Sequence, residues 1–340
     1  MDQGGKVLRM GAASVICAVA LRLFSGGLPG KVLAFFSQPE VAAFILYLET
    51  GRVVRPAAQE AESPPPETLG AAATTAPTEP AVETAPDPLP AVFTPEDAAL
   101  VEINSACGYG ADIPAMLLQP LEWDLTMEAP TVLILHTHGS ECYGSPVFSA
   151  DYRTLDNQYN VVSIGAELAR QLEARGIRVI QDTTLHDQPS YNDAYANARE
   201  VTRAYLEQYP SIKLVLDIHR DAAEDSRGQQ ISKSITVDGE SVAQLMLVVG
   251  TDAGGLTHPL WAENMALAVK LHAKLETICP GICRPISFRS QRFNQDLSTG
   301  ALIIEVGAAG NSQAEALAAA AYLAEALEGL AFGSVSAEAA

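Results

Sequence analysis

Leu133-Ile134-Leu135-His136-Thr137-His138-Gly139-Ser140-Glu141 decides the fold class. An apolar run of buried-strand character breaks at Gly139 and leaves a His-x-x-Glu pair in the loop beyond it. Open α/β sheets build their sites at the carboxyl ends of strands. Two further segments end in the same manner. Lys213-Leu214-Val215-Leu216-Asp217-Ile218-His219-Arg220-Asp221 delivers His219, and Leu302-Ile303-Ile304-Glu305-Val306-Gly307 delivers one carboxylate, Glu305. Three strands of one sheet would bring His138, Glu141, His219 and Glu305 to a common edge.

The surrounding pattern alternates strand and helix. Val161 to Arg175 has helical apolar spacing with Gly176 as its C-terminal stop, and Ile177 to Ile180 reads as a strand. Asn192 to Tyr209 is the next helix, ended by Pro210, and it leads into the His219 strand. Leu245 to Gly250 is a strand, Pro259 to Ile278 a helix with Pro in its first turn, and Ala314 to Leu327 an Ala-rich closing helix. The expected architecture is α/β: a mixed, mostly parallel sheet with helices on both faces, in a single catalytic domain over 92–332 with a flexible tail at 333–340.

What precedes that domain differs in kind. The first 55 residues hold six basic and three acidic side chains, whereas no Lys or Arg lies between Arg55 and Arg153. Lys6 and Arg9 precede the apolar run Met10 to Leu21. This makes 1–30 a candidate membrane anchor or signal segment with Arg22 snorkelling, and 31–55, with its apolar Val41 to Leu48, a membrane-proximal segment. Residues 56–91 are rich in Pro, Ala, Thr and Glu and read as a disordered spacer. At ~3 Å per residue it would reach on the order of 100 Å. A formal charge of −20 opposes binding to nucleic acid or to an anionic surface. The five cysteines are too few and too scattered for a disulfide framework, and Cys279 with Cys283 makes only a weak metal or pairing signal.

Two histidines and a carboxylate are a donor set that catalytic Zn2+ takes, leaving one position open. Cutting an amide also needs a group that accepts a proton and passes it to the leaving nitrogen, and Glu305 is the candidate. A carboxylate inside an apolar strand is seldom buried unless paired or metal-linked, so a buried ion pair of Glu305 with Arg220 or Arg292 is the competing structural explanation. His136 rivals His138 as first ligand. The turn at Gly139 favours His138, because positions 136 and 138 share a face only while the strand continues. This spacing resembles both zinc carboxypeptidases and zinc N-acetylmuramoyl-L-alanine amidases, in which a distant His completes the metal site. No Gly-x-Ser-x-Gly elbow is present, which disfavours a serine hydrolase.

The domain as a whole resembles the stage II sporulation protein P family, membrane-anchored peptidoglycan hydrolases of endospore-forming bacteria. The likeness runs through His136 to Glu141, Asp187-Gln188-Pro189-Ser190-Tyr191-Asn192, Tyr209-Pro210-Ser211-Ile212 and Asp217 to Ala222. It continues in Val249-Gly250-Thr251-Asp252, His258 to Asn264, Arg292-Phe293-Asn294-Gln295-Asp296-Leu297 and Glu305-Val306-Gly307. The resemblance implies cleavage of the bond between N-acetylmuramic acid and the L-alanine of the stem peptide, and a second activity on peptide cross-links. It implies work during forespore engulfment, on the mother-cell side of the septal and engulfing membranes. The implied partners are glycan strands, stem peptides, the membrane through the N-terminus, and the stage II sporulation proteins D and M.

The resemblance also raises Asp156 as a carboxylate ligand in place of Glu141, since related amidases draw theirs from the segment before the first helix. Cys142 stands where the family pattern suggests Ser, which puts a thiol beside the site. Arg220 and Asp221 are candidates to orient His219 or contact substrate, and Asn294 and Gln295 to bind peptide or sugar amides. His186, His258 and His272 are expected to be structural or exposed. Two other functions share these features: a zinc peptidase acting only on stem peptides, and a tethered wall-binding module without catalysis.

Overall fold

The computed structural model describes residues 89–144 and 151–336. The expected anchor, membrane-proximal segment and most of the spacer lie outside them; among the described residues no helix is long and apolar enough to cross a membrane.

The centre is a seven-stranded sheet in the order β2 (Ile103–Ser105), β9 (Ile286–Phe288), β8 (Leu245–Val249), β10 (Ala301–Ala308), β5 (Leu214–Asp221), β3 (Val132–Leu135), β4 (Val179–Gln181). Only the β8–β10 pairing in it is antiparallel, so the sheet is mixed and mostly parallel as expected. The chain steps outward from β3 to β4 through helix α2 (Val161–Glu173) and returns past β3 to β5 through helix α3 (Ala194–Gln208). Right-handed crossovers in opposite directions put their helices on opposite faces. The reversal leaves a crevice between β3 and β5, the kind of switch point where ligands bind.

The side-chain alternation shows the two faces. Val132 and Ile134, with Leu214, Leu216, Ile218, Leu302, Ile304 and Val306, join the main core under α2, α4 (Trp261–Ile278) and α5 (Gln313–Glu328). Leu133, Leu135, Val215 and Ala301 pack instead with Ala198, Tyr205 and Leu206 of α3. Local caps define the helix starts: Asn160 accepts from the Val162 amide at 3.0 Å, and Ser312 and Glu315 form a reciprocal capping box ahead of α5.

Several elements lie outside the expected pattern. Short helix α1 (Ile113–Leu118) and strands β2 and β9 carry too few residues for a period to show. The hairpin β6 (Ser234–Val237) to β7 (Glu240–Ala243) turns on Asp238-Gly239, both at positive φ, the geometry that Asp-Gly serves in two-residue loops. The expected flexible tail also needs correction. Residues Ser334–Ser336 form β11, paired in parallel with β1 (Ala91–Phe93), and Leu121 pairs with Ser334 from the other side. This three-residue strand is bound by backbone hydrogen bonds that composition does not reveal.

His136, the rival first ligand and also a candidate for substrate contact or for support of the ligands, is packed into the scaffold. Continuing the Val132–Ile134 alternation, it is fully buried, with Nδ1 3.2 Å from the Ile218 carbonyl and Nε2 3.0 Å from Gln181 Nε2. Gly165 of α2 sits against the ring so closely that an added Cβ would lie 2.5 Å from His136 Cε1. Burial lowers the imidazole to about 4.

Two predictions follow from this scaffold. The unfolded chain holds the His136 proton up to ~6.5 while the folded one releases it above about 4. Its contribution is therefore complete above pH 6.5 and is lost as pH falls toward 4, by ~3 kcal/mol. The unfolding free energy of His136→Gln should fall less steeply with acidification over that window, and parallel slopes in the two proteins would refute the assignment. Gly333 has φ 76°, and a Cβ there would lie 2.0 Å from the Leu121 carbonyl oxygen. Gly333→Ala should cost about 2 kcal/mol or more in denaturant unfolding, from left-handed strain plus displacement of Leu121.

Candidate active site

The turn after β3 is held by Asp217. Its carboxylate accepts from the Thr137 amide at 2.8 Å and from Thr137 Oγ1 at 2.5 Å, tying the end of β3 to β5. Gly139 completes the turn where a Cβ would meet Leu185 Cδ2 at 2.8 Å. His138 thereby leaves the His136 environment. It stacks on Tyr191 (centroids 4.2 Å apart, 14° between planes) and meets the rings of Tyr195 at 5.5 Å and His219 at 5.6 Å edge to face.

His219 and Glu305 are direct partners across the parallel β5–β10 ladder, so their side chains leave the sheet on one face, as do those of Asp217 and its partner Ile303. On the other side of Glu305, antiparallel β8 contributes Met246 to the same row. Glu141 reaches the site from the loop after β3, its Oε2 3.3 Å from His219 Nδ1. Its Oε1 lies 3.7 Å from Arg220 Nη1 and 3.9 Å from Arg153 Nη2.

The charges are strongly coupled. Burial alone would raise the Glu141 carboxyl, but contact with His219 and the charge of Arg220 hold it at about 2. Asp217, likewise buried, is held at about 2 by His219 and by the Thr137 donors. Burial opposes a charged His219, yet the carboxylates of Asp217 and Glu141 keep its affinity for a proton well above the ordinary value. Asp217 Oδ1 lies 2.9 Å from His219 Nε2 but off the direction of the ring N–H, so that contact is charge attraction and Nε2 has no hydrogen-bond partner. Burial lowers His138, and the positive charge of His219 adds to the effect. Glu305 behaves oppositely to Glu141. Burial pushes its carboxyl up to about 8; His219 opposes this, while Glu141 and Asp221 reinforce it. Among the described residues it forms no ion pair, since Arg220 turns to Glu141 and Arg292 to Asp296.

Other expected residues take different places. Arg220 is buried and donates to the Cys142 and Tyr152 carbonyls, each at 3.2 Å, so it braces the loop carrying Glu141. Asp221 lies 2.7 Å from Arg284 Nη1; the carboxylates at the His219 ring are those of Asp217 and Glu141. Gln295 is consumed by the scaffold, accepting from the Gly250 amide and donating to the Val248 carbonyl. Asn294 donates to the Tyr195 carbonyl at 2.7 Å. Asp156 is exposed and accepts from the Gln158 amide in a local turn, whereas Glu141 is buried beside His219. Cys142 is buried, and burial raises its thiol.

Sequence reasoning missed Asp217, Tyr191, Tyr195 and Arg153. Asp217 carried the signal that marked Glu305, an acid inside an apolar strand. Arg153 had none: it bridges Asp187 at 3.1 Å and lies 4.6 Å from the Tyr191 ring centre, contacts made across separate loops.

Among the described residues, no three His, Cys, Asp or Glu side chains form a ready metal cage. The donor types nonetheless suit zinc. His138 Nδ1, His219 Nε2 and Glu305 Oε2 are buried without hydrogen-bond partners, and Glu141 supplies an ionised carboxylate at the same place.

Against known proteins, the chain is 26% identical over 204 residues to stage II sporulation protein P of Bacillus subtilis (strain 168), a match covering 56% of this chain and 48% of that protein. It thus spans about half the length of that relative. Solved structures with similarity include the N-acetylmuramoyl-L-alanine amidase AmiC2 of Nostoc punctiforme, at 16% identity and TM-score 0.32, covering 58% of this chain and 93% of that one. The N-acetylmuramoyl-L-alanine amidase of Clostridium difficile 630 matches at 13% identity and TM-score 0.36, covering 60% and 97%. The family model described as stage II sporulation protein P matches residues 46–328, and the chain belongs to that family.

Proposed function

We propose that the protein is a sporulation peptidoglycan hydrolase that cuts the amide between N-acetylmuramic acid and L-alanine, with zinc held by His138, Glu141 and His219. The observation that carries this reading is the pairing of His219 with Glu305 on one face of β5 and β10, with Glu305 Oε2 buried and without a hydrogen-bond partner. When bound, zinc supplies the Lewis-acid chemistry that side chains lack.

The chain's own groups do the rest. Glu305 accepts a proton from the attacking water, and burial favours the neutral acid so formed. As the carbon–nitrogen bond breaks, Glu305 returns that proton to the leaving amide nitrogen, so water is consumed and a carboxylic acid and an amine are released. Asp217 locks the Thr137 turn and stands beside His219, while Tyr191 and Tyr195 fix the His138 ring. Family membership supports a place for this activity in forespore engulfment, outside the mother-cell membrane to which the N-terminal segment would tether it. It also supports partnership with the stage II sporulation proteins D and M, and a further activity on peptide cross-links.

Full-length protein incubated with purified peptidoglycan should release stem peptides with L-alanine amino termini, detected by mass spectrometry. A chelator should abolish the release and added zinc restore it. Glu305→Gln should lose about 10²–10⁴-fold in kcat. Equilibrium dialysis should show one zinc per chain, lost in His219→Ala and retained in Glu305→Gln. Cuts confined to the peptides would replace this proposal with a stem-peptide peptidase; intact wall that retains the protein would replace it with a binding module.

A further inference from the structure

Beside the site lies a cleft of ≈ 530 Å³ whose walls include Tyr195, Arg199, Leu256, Arg292, Phe293 and Asn294. Tyr195 is the wall it shares with the site, its ring meeting His138 at 5.5 Å and Phe293 at 5.8 Å. No acidic side chain lines it, although the chain carries a formal charge of −20. Two guanidiniums do. Arg199 holds Asp296 through two 2.8 Å contacts, and Arg292 Nε shares the same carboxylate at 3.2 Å. The two guanidiniums thus share the Asp296 carboxylate behind the wall, and Glu200 adds its charge at Arg199. Arg292 remains partly exposed, its side chain at 22%.

The wall is built to be rigid. Phe293 and Asn294 both have left-handed backbones, at φ 52° and 61°, a conformation that costs energy in a bulky residue such as Phe. That turn is held in place by the Gln295 clasp on β8, by the bond from Asn294 to the Tyr195 carbonyl, and by close backbone approach. A Cβ on Gly254 would lie 2.5 Å from the Ser290 carbonyl oxygen. A pre-set wall offering aromatic surface and a partly exposed Arg suits a planar peptide with a free carboxylate.

We infer that this cleft binds the peptide on the amine side of the scissile amide, and that Arg292 selects a peptide bearing a free carboxylate. The inference rests on the proposed amide hydrolysis and names the part of that substrate which occupies the cleft.

The test is direct binding to the full-length protein, by calorimetry, of a synthetic L-alanyl peptide with one free side-chain carboxylate and of the same peptide with that carboxylate amidated. Wild-type protein should bind the carboxylate form about tenfold more tightly. Arg292→Gln should erase the preference. Leu256→Asp adds a negative charge at an exposed position, 58% accessible, that carries no core packing; it should weaken only the carboxylate form, which guards against misreading a fold defect in Arg292→Gln. Equal binding of the two peptides, or no binding of either, overturns the inference even if peptidoglycan is cleaved. Carboxylate-dependent binding without any cleavage keeps the cleft and removes the hydrolase proposal.

Discussion

The register of β10 against β5 is the constraint on which the site depends. Because side chains alternate along a strand, a slip of one residue would send Glu305 into the core occupied by Ile304 and Val306, and no loop adjustment would restore it. The register is set at both ends. At the start of β10, a Cβ on Gly300 would lie 2.0 Å from the Lys213 carbonyl oxygen, so only glycine permits the approach that aligns the two strands. At the far end the pairing jumps from His219–Glu305 to Asp221–Ala308. The ladder beside Glu305 is thereby interrupted where the chain leaves the sheet, as bulges near sites commonly do.

Much of this was legible in the sequence because it depends on period and on strand ends. The four principal helices and the strands bearing His219 and Glu305 have periodic patterns, and an acid in an apolar run cannot be placed cheaply elsewhere. His138 was separable from His136 because Gly139 interrupts the alternation. What escaped was nonlocal. Tyr191 and Arg153 reach the site from loops whose path follows from tertiary packing, and the pairing of Asp221 with Arg284 depends on a turn far along the chain. Strands β1 and β11 are three residues each and are defined by each other.

Charge ties the fold to the site. Glu141 and Asp217 are buried acids, and a buried carboxylate is tolerated only where positive charge and donors surround it. His219 lies between them, and Arg220 spends its donors on the loop that carries Glu141 while also facing the carboxylate. The same cations therefore stabilise the loop and keep Glu141 ionised, so truncating Arg220 would disturb both at once. Glu305, on the neighbouring strand, forms no ion pair among the described residues, and burial, reinforced by Glu141 and Asp221 against the opposing charge of His219, raises its proton affinity. Two carboxyls in one site thus differ in proton affinity: Glu141 stays ionised, while Glu305 binds a proton more readily and can take one up and return it.

The asymmetry of the two faces explains where such a site can exist. On one face three helices bury the sheet. On the other, α3 covers only the lower part, through Ala198, Tyr205 and Leu206 against Leu133, Leu135, Val215 and Ala301. Full cover on both faces would seal Glu305 from substrate, and no cover would let water screen the charges that separate it from Glu141. The aromatic rings of Tyr191 and Tyr195 at the start of α3 hold the intermediate position, walling His138 on one side, with Tyr195 meeting Phe293 of the cleft on the other. The length of α3 therefore does more than close the crossover: it sets how much of the sheet remains available for chemistry.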